Sequence, residues 1–504
     1  MFKLCNFIIL ILFWGNAYTT SIFAQQSIDS VLQVNPLQEL RHDLDALIES
    51  PDMSNAIIGA CVQSIETGEM FYRLNESKNL IPASTIKIVT TIAALDYFGP
   101  DFRFQTNMYL DGVINENGEY HGNVIIRGSG DPTMSEFFYA EPIKIIESFA
   151  KQLDSLGISI IKGNIIGDDS YFDNIYYGPG WSWDDFMYPF SSQINALSIN
   201  DNSISLVITQ GDSVNSLSKY SVIPENNLAR IYNYVMTSEP DKITDIITAR
   251  DFKSNYIEIN GNIAYDSTKK RTHVQKIAID NPTMFFLELF KSSLTKFRIR
   301  HNGALLPISM SQNPILYTNL LPAYTHVSPP LSEILKVVNA ESHNFCAEML
   351  LKTLAKETQG EGSFDKGTDY LLKYLKSNSI TSDNIRILDG SGLSRFNLFT
   401  PRNFVTLLNN IYRSNYREQF VKTLAEPGEE GTLLRRMKRS RAENNVRAKT
   451  GSMNNISAIC GYVTTRDNEV LAFSIMMQNF TAPMTTAQNL QDLILMRLSS
   501  FSRK

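Results

Sequence analysis

The chain has 504 residues, enough for more than one domain at roughly 100–200 residues each. Its hydrophobic and charged fractions, 43% and 19%, are those of an ordinary globular protein and exclude a disordered or fibrous one. A formal charge of -6 and a pI near 5.7 argue against nucleic acid as a partner, because phosphate binding needs a concentrated basic surface.

The chain opens on Lys3, a purely apolar run from Phe7 to Trp14, and Ser21-Ile22-Phe23-Ala24 ahead of Gln25. This pattern predicts a secretory signal peptide over residues 1–24, cleaved after Ala24, and so an exported, periplasmic protein. The apolar run is far shorter than the roughly 20 residues that cross a bilayer, which disfavours an uncleaved anchor. Cys5 precedes the run, the wrong place for a lipid-anchor cysteine.

Leu37 to Ile48 reads as a helix. Strands follow at Ala56–Ile65 and Glu69–Arg73, joined by a Glu66-Thr67-Gly68 turn. After Pro82-Ala83-Ser84, the residues Ile88, Ile92 and Leu95 mark one face of a helix that stops at Gly99-Pro100. From about Phe102 to Leu320 the sequence holds short strand-like runs broken by Gly, Asn and Asp. Examples are Tyr109–Ile114, Gly122–Arg127, Gly163–Asp168 and Ile204–Thr209, and the region reads as inserted, largely β domains. Helical runs resume at Leu331–Asn339 and Phe345–Ala355. Strands are expected at Val446–Lys449, Ile456–Thr464 and Val470–Gln478. Thr486 to Phe501 reads as an amphipathic helix packed on the neighbouring sheet, with peripheral association at a membrane surface through Leu493, Ile494 and Leu498 as the competing reading.

Cys61, Cys346 and Cys460 all sit in apolar stretches and read as buried structural thiols. Their odd number leaves at least one thiol free, and a Cys61–Cys460 bridge stays open. The six histidines are scattered and no zinc-type spacing occurs, so neither metal nor cofactor is expected.

Three short motifs carry chemistry. In Ser84-Thr85-Ile86-Lys87 the i, i+3 spacing puts the amine and the hydroxyl on one helix face. A serine needs such a base to become a nucleophile, and the amine must be neutral to act as one. The same spacing recurs at Ser148–Lys151, Ser293–Lys296 and Ser363–Lys366, so the setting of Ser84 at a helix start must distinguish it. Ser342-His343-Asn344 lies at the junction of two helices, a natural cleft edge. His343 is itself a candidate base, although the motif logic favours its two neighbours. Lys449-Thr450-Gly451 offers a cation and a hydroxyl for a carboxylate, and a glycine that lets substrate lie close to the backbone. The competing reading of this last motif is an ordinary strand end and turn.

In this order the three motifs form the signature of penicillin-binding proteins and class A β-lactamases. The chain resembles the class C low-molecular-mass penicillin-binding proteins, the D-alanyl-D-alanine carboxypeptidase/endopeptidase family, over nearly its whole mature length. Further segments that fit are Gly128 to Thr133, Gly163 to Asp169, Gly178-Pro179-Gly180-Trp181, Asp389 to Arg395 followed by Thr400-Pro401, and Gly431-Thr432-Leu433. The resemblance implies an α/β fold: an antiparallel five-stranded sheet flanked by helices, built from both chain ends (25–105 and 320–504). Two nested, mainly β inserted domains would follow, one over 106–131 and 206–319 and the other over 132–205.

It also implies roles. Ser84 would attack the carbonyl after a D-alanine, Lys87 would take its proton, and Ser342 would relay a proton to the leaving amine. Asn344 would position the substrate amide and Lys87. Lys449 and Thr450 would bind the terminal carboxylate beside Gly451. The N–H groups of Ser84 and Ser452 would form the oxyanion hole, each donor worth roughly 3–4 kcal/mol. The expected partners are peptidoglycan stem peptides and cross-links, with β-lactams as acylating inhibitors. Asp389 to Gly392 and Arg395 are read either as loop-shaping or as cleft-lining. Trp181 and Trp183 are read as packing residues or as contacts to glycan. A serine β-lactamase and a catalytically weak wall-binding protein are the alternatives. A Ser-His-Asp esterase is disfavoured by the lack of a Gly-x-Ser-x-Gly elbow.

Overall fold

The computed structural model describes residues 35–311, 315–381 and 384–504. The expected signal peptide and Cys5 lie outside these residues. The main body is built from residues 35–98 and 331–504. Its centre is a five-stranded antiparallel sheet made from β1 (Ile57–Ser64), β2 (Met70–Leu74), β3 (Val446–Met453), β4 (Ile456–Thr464) and β5 (Val470–Gln478). The order is β3-β4-β5-β1-β2, so the two chain ends meet where β1 pairs with β5, from Ile57 opposite Gln478 to Ser64 opposite Leu471.

The central strands are apolar on both faces because both faces are covered. On one side lie α1 (Pro36–Ile48) and α6 (Met484–Ser499). Their Leu40, Leu44, Ile494 and Leu498 pack with Val62, Ile459 and Phe473 of the sheet. The C-terminal helix therefore buries Ile494 and Leu498 on the sheet, and only Leu493 of the three apolar residues named above is exposed. On the other side α2 (Lys87–Phe98), α3 (Leu331–Ala340), α4 (Asn344–Gln359) and α5 (Pro401–Tyr412) gather over Cys61, Cys460 and Met476.

Cys61 and Cys460 are both paired with Ser474 of β5, from opposite sides. Two strand spacings separate them by about 9–10 Å, beyond the roughly 7 Å that a disulfide can bridge. Both thiols are free and buried, as is Cys346.

The segment between α2 and α3 forms the inserted region. Strands Gln105–Leu110, Val124–Arg127, Ile165–Asp168, Leu305–Pro307 and Pro322–Val327 make one five-stranded sheet. Residues 203–278 form two separate three-stranded sheets. Strand pairing thus groups 160–168 with 105–127, and it takes Pro322–Val327 into the inserted sheet. Two helices, Ile143–Ser155 and Pro282–Lys296, lie in this region where strands were expected to dominate. Their apolar faces meet through Phe149 and Phe286, with ring centroids 6.5 Å apart.

Candidate active site

Ser84 sits in a tight turn, not in an ordinary helical start. Ala83–Ile86 is a 3₁₀ turn that runs directly into α2, and Ala83 takes a left-handed backbone with φ 46°. Such a conformation is costly for a residue with a Cβ and persists only where its surroundings impose it. Two glycines impose it here. A Cβ on Gly392 would collide with the Ala83 carbonyl. A Cβ on Gly451 would lie 2.8 Å from Pro82 O and 2.9 Å from Ser84 N. Gly451 was expected to make room for substrate; the neighbour it makes room for is the Ser84 turn.

Lys87, one turn on, is fully buried. Its Nζ lies 2.8 Å from Ser84 Oγ, 2.6 Å from Asn344 Oδ1 and 2.6 Å from the Ser391 carbonyl. The last two atoms are acceptors only, so they take two N–H bonds. A neutral amine then points its lone pair at the Ser84 hydroxyl. Burial pushes the Lys87 amine down to about 7, against the opposing pull of Glu348 and Asp389. A base poised near neutrality is what nucleophile activation requires.

The three other Ser-x-x-Lys spacings named above lack this setting. Ser148 and Ser293 spend their hydroxyls on the carbonyls of Ile145 and Leu289, and Ser363 caps its own helix. The packing of Ser84 separates it from them, which spacing alone could not do.

Asn344 opens α4, and its amide spans the cleft: Oδ1 accepts from Lys87, and Nδ2 donates to the Phe190 carbonyl of the inserted region at 2.9 Å. Ser342 is half-buried with φ 62°, in the junction between α3 and α4. It joins neither the hydrogen bonds around Lys87 nor the lining of the groove beside Ser84. His343 Nδ1 accepts the Cys346 N–H at 3.3 Å and caps α4, an occupation that leaves it no role as base for Ser84.

Lys449 and Thr450 lie inside β3, which continues to Met453, so the Lys-Thr-Gly motif is mid-strand and not a strand end. Lys449 is fully buried, and its Nζ donates to Thr450 O at 2.7 Å. Burial and then the charge of Lys87 hold its amine well below the usual range. Thr450 Oγ1 meets Thr432 Oγ1 at 2.7 Å, which brings the Gly431-Thr432-Leu433 segment to the site. A groove of about 330 Å³ runs past Ser84, with Asp185, Phe190, Asn344, Arg395, Ser452 and Asn454 among the residues that line it.

The Asp389–Arg395 loop both shapes and lines the cleft. Gly392, Leu393 and Arg395 line the groove, and the Ser391 carbonyl holds Lys87. Asp389 is buried and accepts from Gly392 N (3.0 Å), Ser394 N (2.6 Å), Asn397 Nδ2 (2.7 Å) and Trp181 Nε1 (2.9 Å). Trp181 therefore packs the inserted loop onto this turn, whereas Trp183 is 83% exposed. Glu348, buried on α4, accepts the Gly390 and Ser391 N–H groups at 2.9 and 2.8 Å and so positions the loop. Nothing in the sequence singles out Glu348, because a glutamate in an apolar helix has no local motif. Among the described residues there is no group of three or more His, Cys, Asp and Glu that could hold a metal.

A serine and lysine on a helix start, facing an antiparallel sheet edge with a buried lysine, define the penicillin-recognising class of serine acyl-transfer enzymes. The family model described as D-Ala-D-Ala carboxypeptidase 3 (S13) matches residues 40–498, and the chain belongs to that family. It is 30% identical over 479 residues to a D-alanyl-D-alanine carboxypeptidase of Actinomadura sp. (strain R39), covering 92% of this chain and 85% of that one. Penicillin binding protein 4 from Haemophilus influenzae has the same fold, with a TM-score of 0.78 at 24% identity, covering 90% of this chain and 97% of that one. Its structure in complex with a β-lactam superposes with a TM-score of 0.73 at 23% identity, covering 89% and 97%. The protein is accordingly a serine-type D-Ala-D-Ala peptidase.

Proposed function

We propose that Ser84 is the residue acylated when this enzyme removes the terminal D-alanine of peptidoglycan stem peptides or cuts D-alanine cross-links. The observation that carries the assignment is the Lys87 amine, buried, with two obligate acceptors on its N–H bonds and its third direction on Ser84 Oγ at 2.8 Å. Lys87 takes the serine proton as Oγ bonds to the carbonyl carbon. Ser342 passes a proton to the departing amine, which leaves as D-alanine or as the cross-linked strand. Asn344 orients the substrate amide, and Lys449 with Thr450 receives the terminal carboxylate. The N–H groups of Ser84 and Ser452 face the oxyanion, and a donor so placed contributes roughly 3–4 kcal/mol. Water then hydrolyses the ester and returns Ser84. Penicillin enters by the same attack and forms the same bond, so the reading includes inhibition by β-lactams.

Residues 1–24 are proposed to direct export and to be removed, leaving Gln25 as the mature start and placing the enzyme in the periplasm with its substrate. Intact mass after incubation with benzylpenicillin, followed by peptide mapping, tests the catalytic assignment and reports the mature terminus. A lasting adduct on the Ser84 peptide is expected, with none in Ser84→Ala. An adduct elsewhere, or wild-type D-alanine release by Ser84→Ala, overturns the assignment; fast penicillin turnover without an adduct favours a β-lactamase.

A further inference from the structure

We propose that Asp201 of the inserted region is a positioning residue for the reaction, acting through His343 to hold the turn of Ser342 and to fix Asn344 against Lys87. The inference rests on the assignment of those three residues to the acylation machinery. Asp201 Oδ2 lies 3.2 Å from His343 Nε2. The opposite ring nitrogen accepts the Cys346 N–H at 3.3 Å, so the ring proton is on Nε2 and is directed at the carboxylate. The ring edge also rests on Phe137, with centroids 4.4 Å apart. The imidazole is thus held by the inserted region on one side and by the first turn of α4 on the other. Its own peptide neighbours are Ser342, with φ 62°, and Asn344, whose side chain holds Lys87.

The segment that presents Asp201 holds its shape at a conformational cost. Asn200, Asp201 and Asn202 take left-handed backbones in succession, with φ 53°, 53° and 51°. Single left-handed residues are uncommon outside glycine, and a run of three persists only when its surroundings fix it. Asn200 N donates to Met134 O at 2.7 Å, Asn202 Nδ2 donates to Gln193 O at 2.7 Å, and Ile279 N donates to Asn202 O at 2.9 Å. Asp201 Oδ1 is buried without a hydrogen-bond partner among the described residues, so His343 is the group this carboxylate serves. A tie that served only to dock the inserted region could fall anywhere along the cleft. This one falls on the residue peptide-bonded to both polar members of one motif.

The test is the rate of acylation of the full-length enzyme by benzylpenicillin, resolved into the rate at saturation and the half-saturating concentration, with thermal midpoints recorded. Asp201→Ala is expected to slow the saturated rate about ten-fold or more while half-saturation stays within about two-fold. Asp201→Asn keeps an acceptor for the Nε2 proton and should recover most of the rate. His343→Asn keeps an oxygen for the Cys346 N–H but is too short for Asp201, so it should repeat the Asp201→Ala loss and carry the test if that variant does not fold. Combining Asp201→Ala with His343→Asn should add nothing. An unchanged saturated rate in Asp201→Ala or His343→Asn, or no recovery in Asp201→Asn, overturns the inference. Ser84→Ala is run alongside: an adduct that persists there refutes the machinery itself, whereas its absence beside a full-rate Asp201→Ala refutes only the role of Asp201.

Discussion

Lys87 donates to the main-chain carbonyl of Ser391 at 2.6 Å, across 304 positions of sequence. That carbonyl belongs to a loop whose own N–H groups are held by the buried carboxylate of Glu348. The base is therefore coupled, through one peptide group, to a carboxyl that it does not touch. Its neighbour of like charge is Lys449, also fully buried. The proton affinity of Lys87 is set by burial against these opposed fields, and this balance is open to measurement.

Acylation by benzylpenicillin should rise with pH through about 7, because only the neutral Lys87 amine accepts the Ser84 proton and burial lowers its affinity to that range. Acylation rates at saturating penicillin from pH 5 to 9 check this. A flat profile would mean that Lys87 is not the titrating base.

Glu348→Gln and Lys449→Met should move that limb in opposite directions. Removing a negative charge near Lys87 lowers its proton affinity and shifts the limb to lower pH. Removing the Lys449 charge raises it and shifts the limb upward. The direction for Glu348 depends on its being ionised, although burial and then Asp389 push its carboxyl up to about 8. The N–H groups of Gly390 and Ser391 on its two oxygens favour the ionised form and oppose that push. An unmoved limb in Glu348→Gln would show that it carries a proton.

Lys449→Met should also raise the thermal midpoint at pH 7. The folded-state amine lies well below its unfolded value, so below the unfolded pKa the unfolded chain binds more protons than the folded one. That difference lowers stability as pH falls from about 10 and is absent in the methionine variant. A midpoint advantage that shrinks as pH rises toward 10 is the expected signature in calorimetry.

Asn344→Ala should slow acylation by about 10- to 100-fold, the range for losing a hydrogen bond to an ionisable group, with further loss from the freed Phe190 carbonyl. A single-turnover rate within about two-fold of wild type would remove Asn344 from the base's support.

Gly392→Ala should cost about 1–3 kcal/mol of stability and slow acylation together, since the methyl meets the Ala83 carbonyl and φ is 84°. Parallel measurement of the unfolding midpoint and of penicillin acylation checks both; loss of stability with full acylation would mean that the Ser84 turn does not depend on this contact.

The sequence by itself determined the serine, its lysine and the order of the three motifs, because helix geometry makes an i, i+3 pair neighbours whatever surrounds them. It also determined the apolar strands of both chain ends, whose burial on two faces shows as continuous apolar runs. Only the tertiary structure decided which of the several Ser-x-x-Lys spacings has an activated hydroxyl, that Gly451 faces the Ser84 turn, and that Glu348, Ser391 and Asp201 belong around the site. The reason is physical. The acceptors of Lys87 arrive from 257 and 304 positions away, and one of them is a backbone carbonyl that every residue type possesses. The proton affinity of a buried amine depends on that packing and on charges brought in from α4 and β3, and no local pattern encodes either.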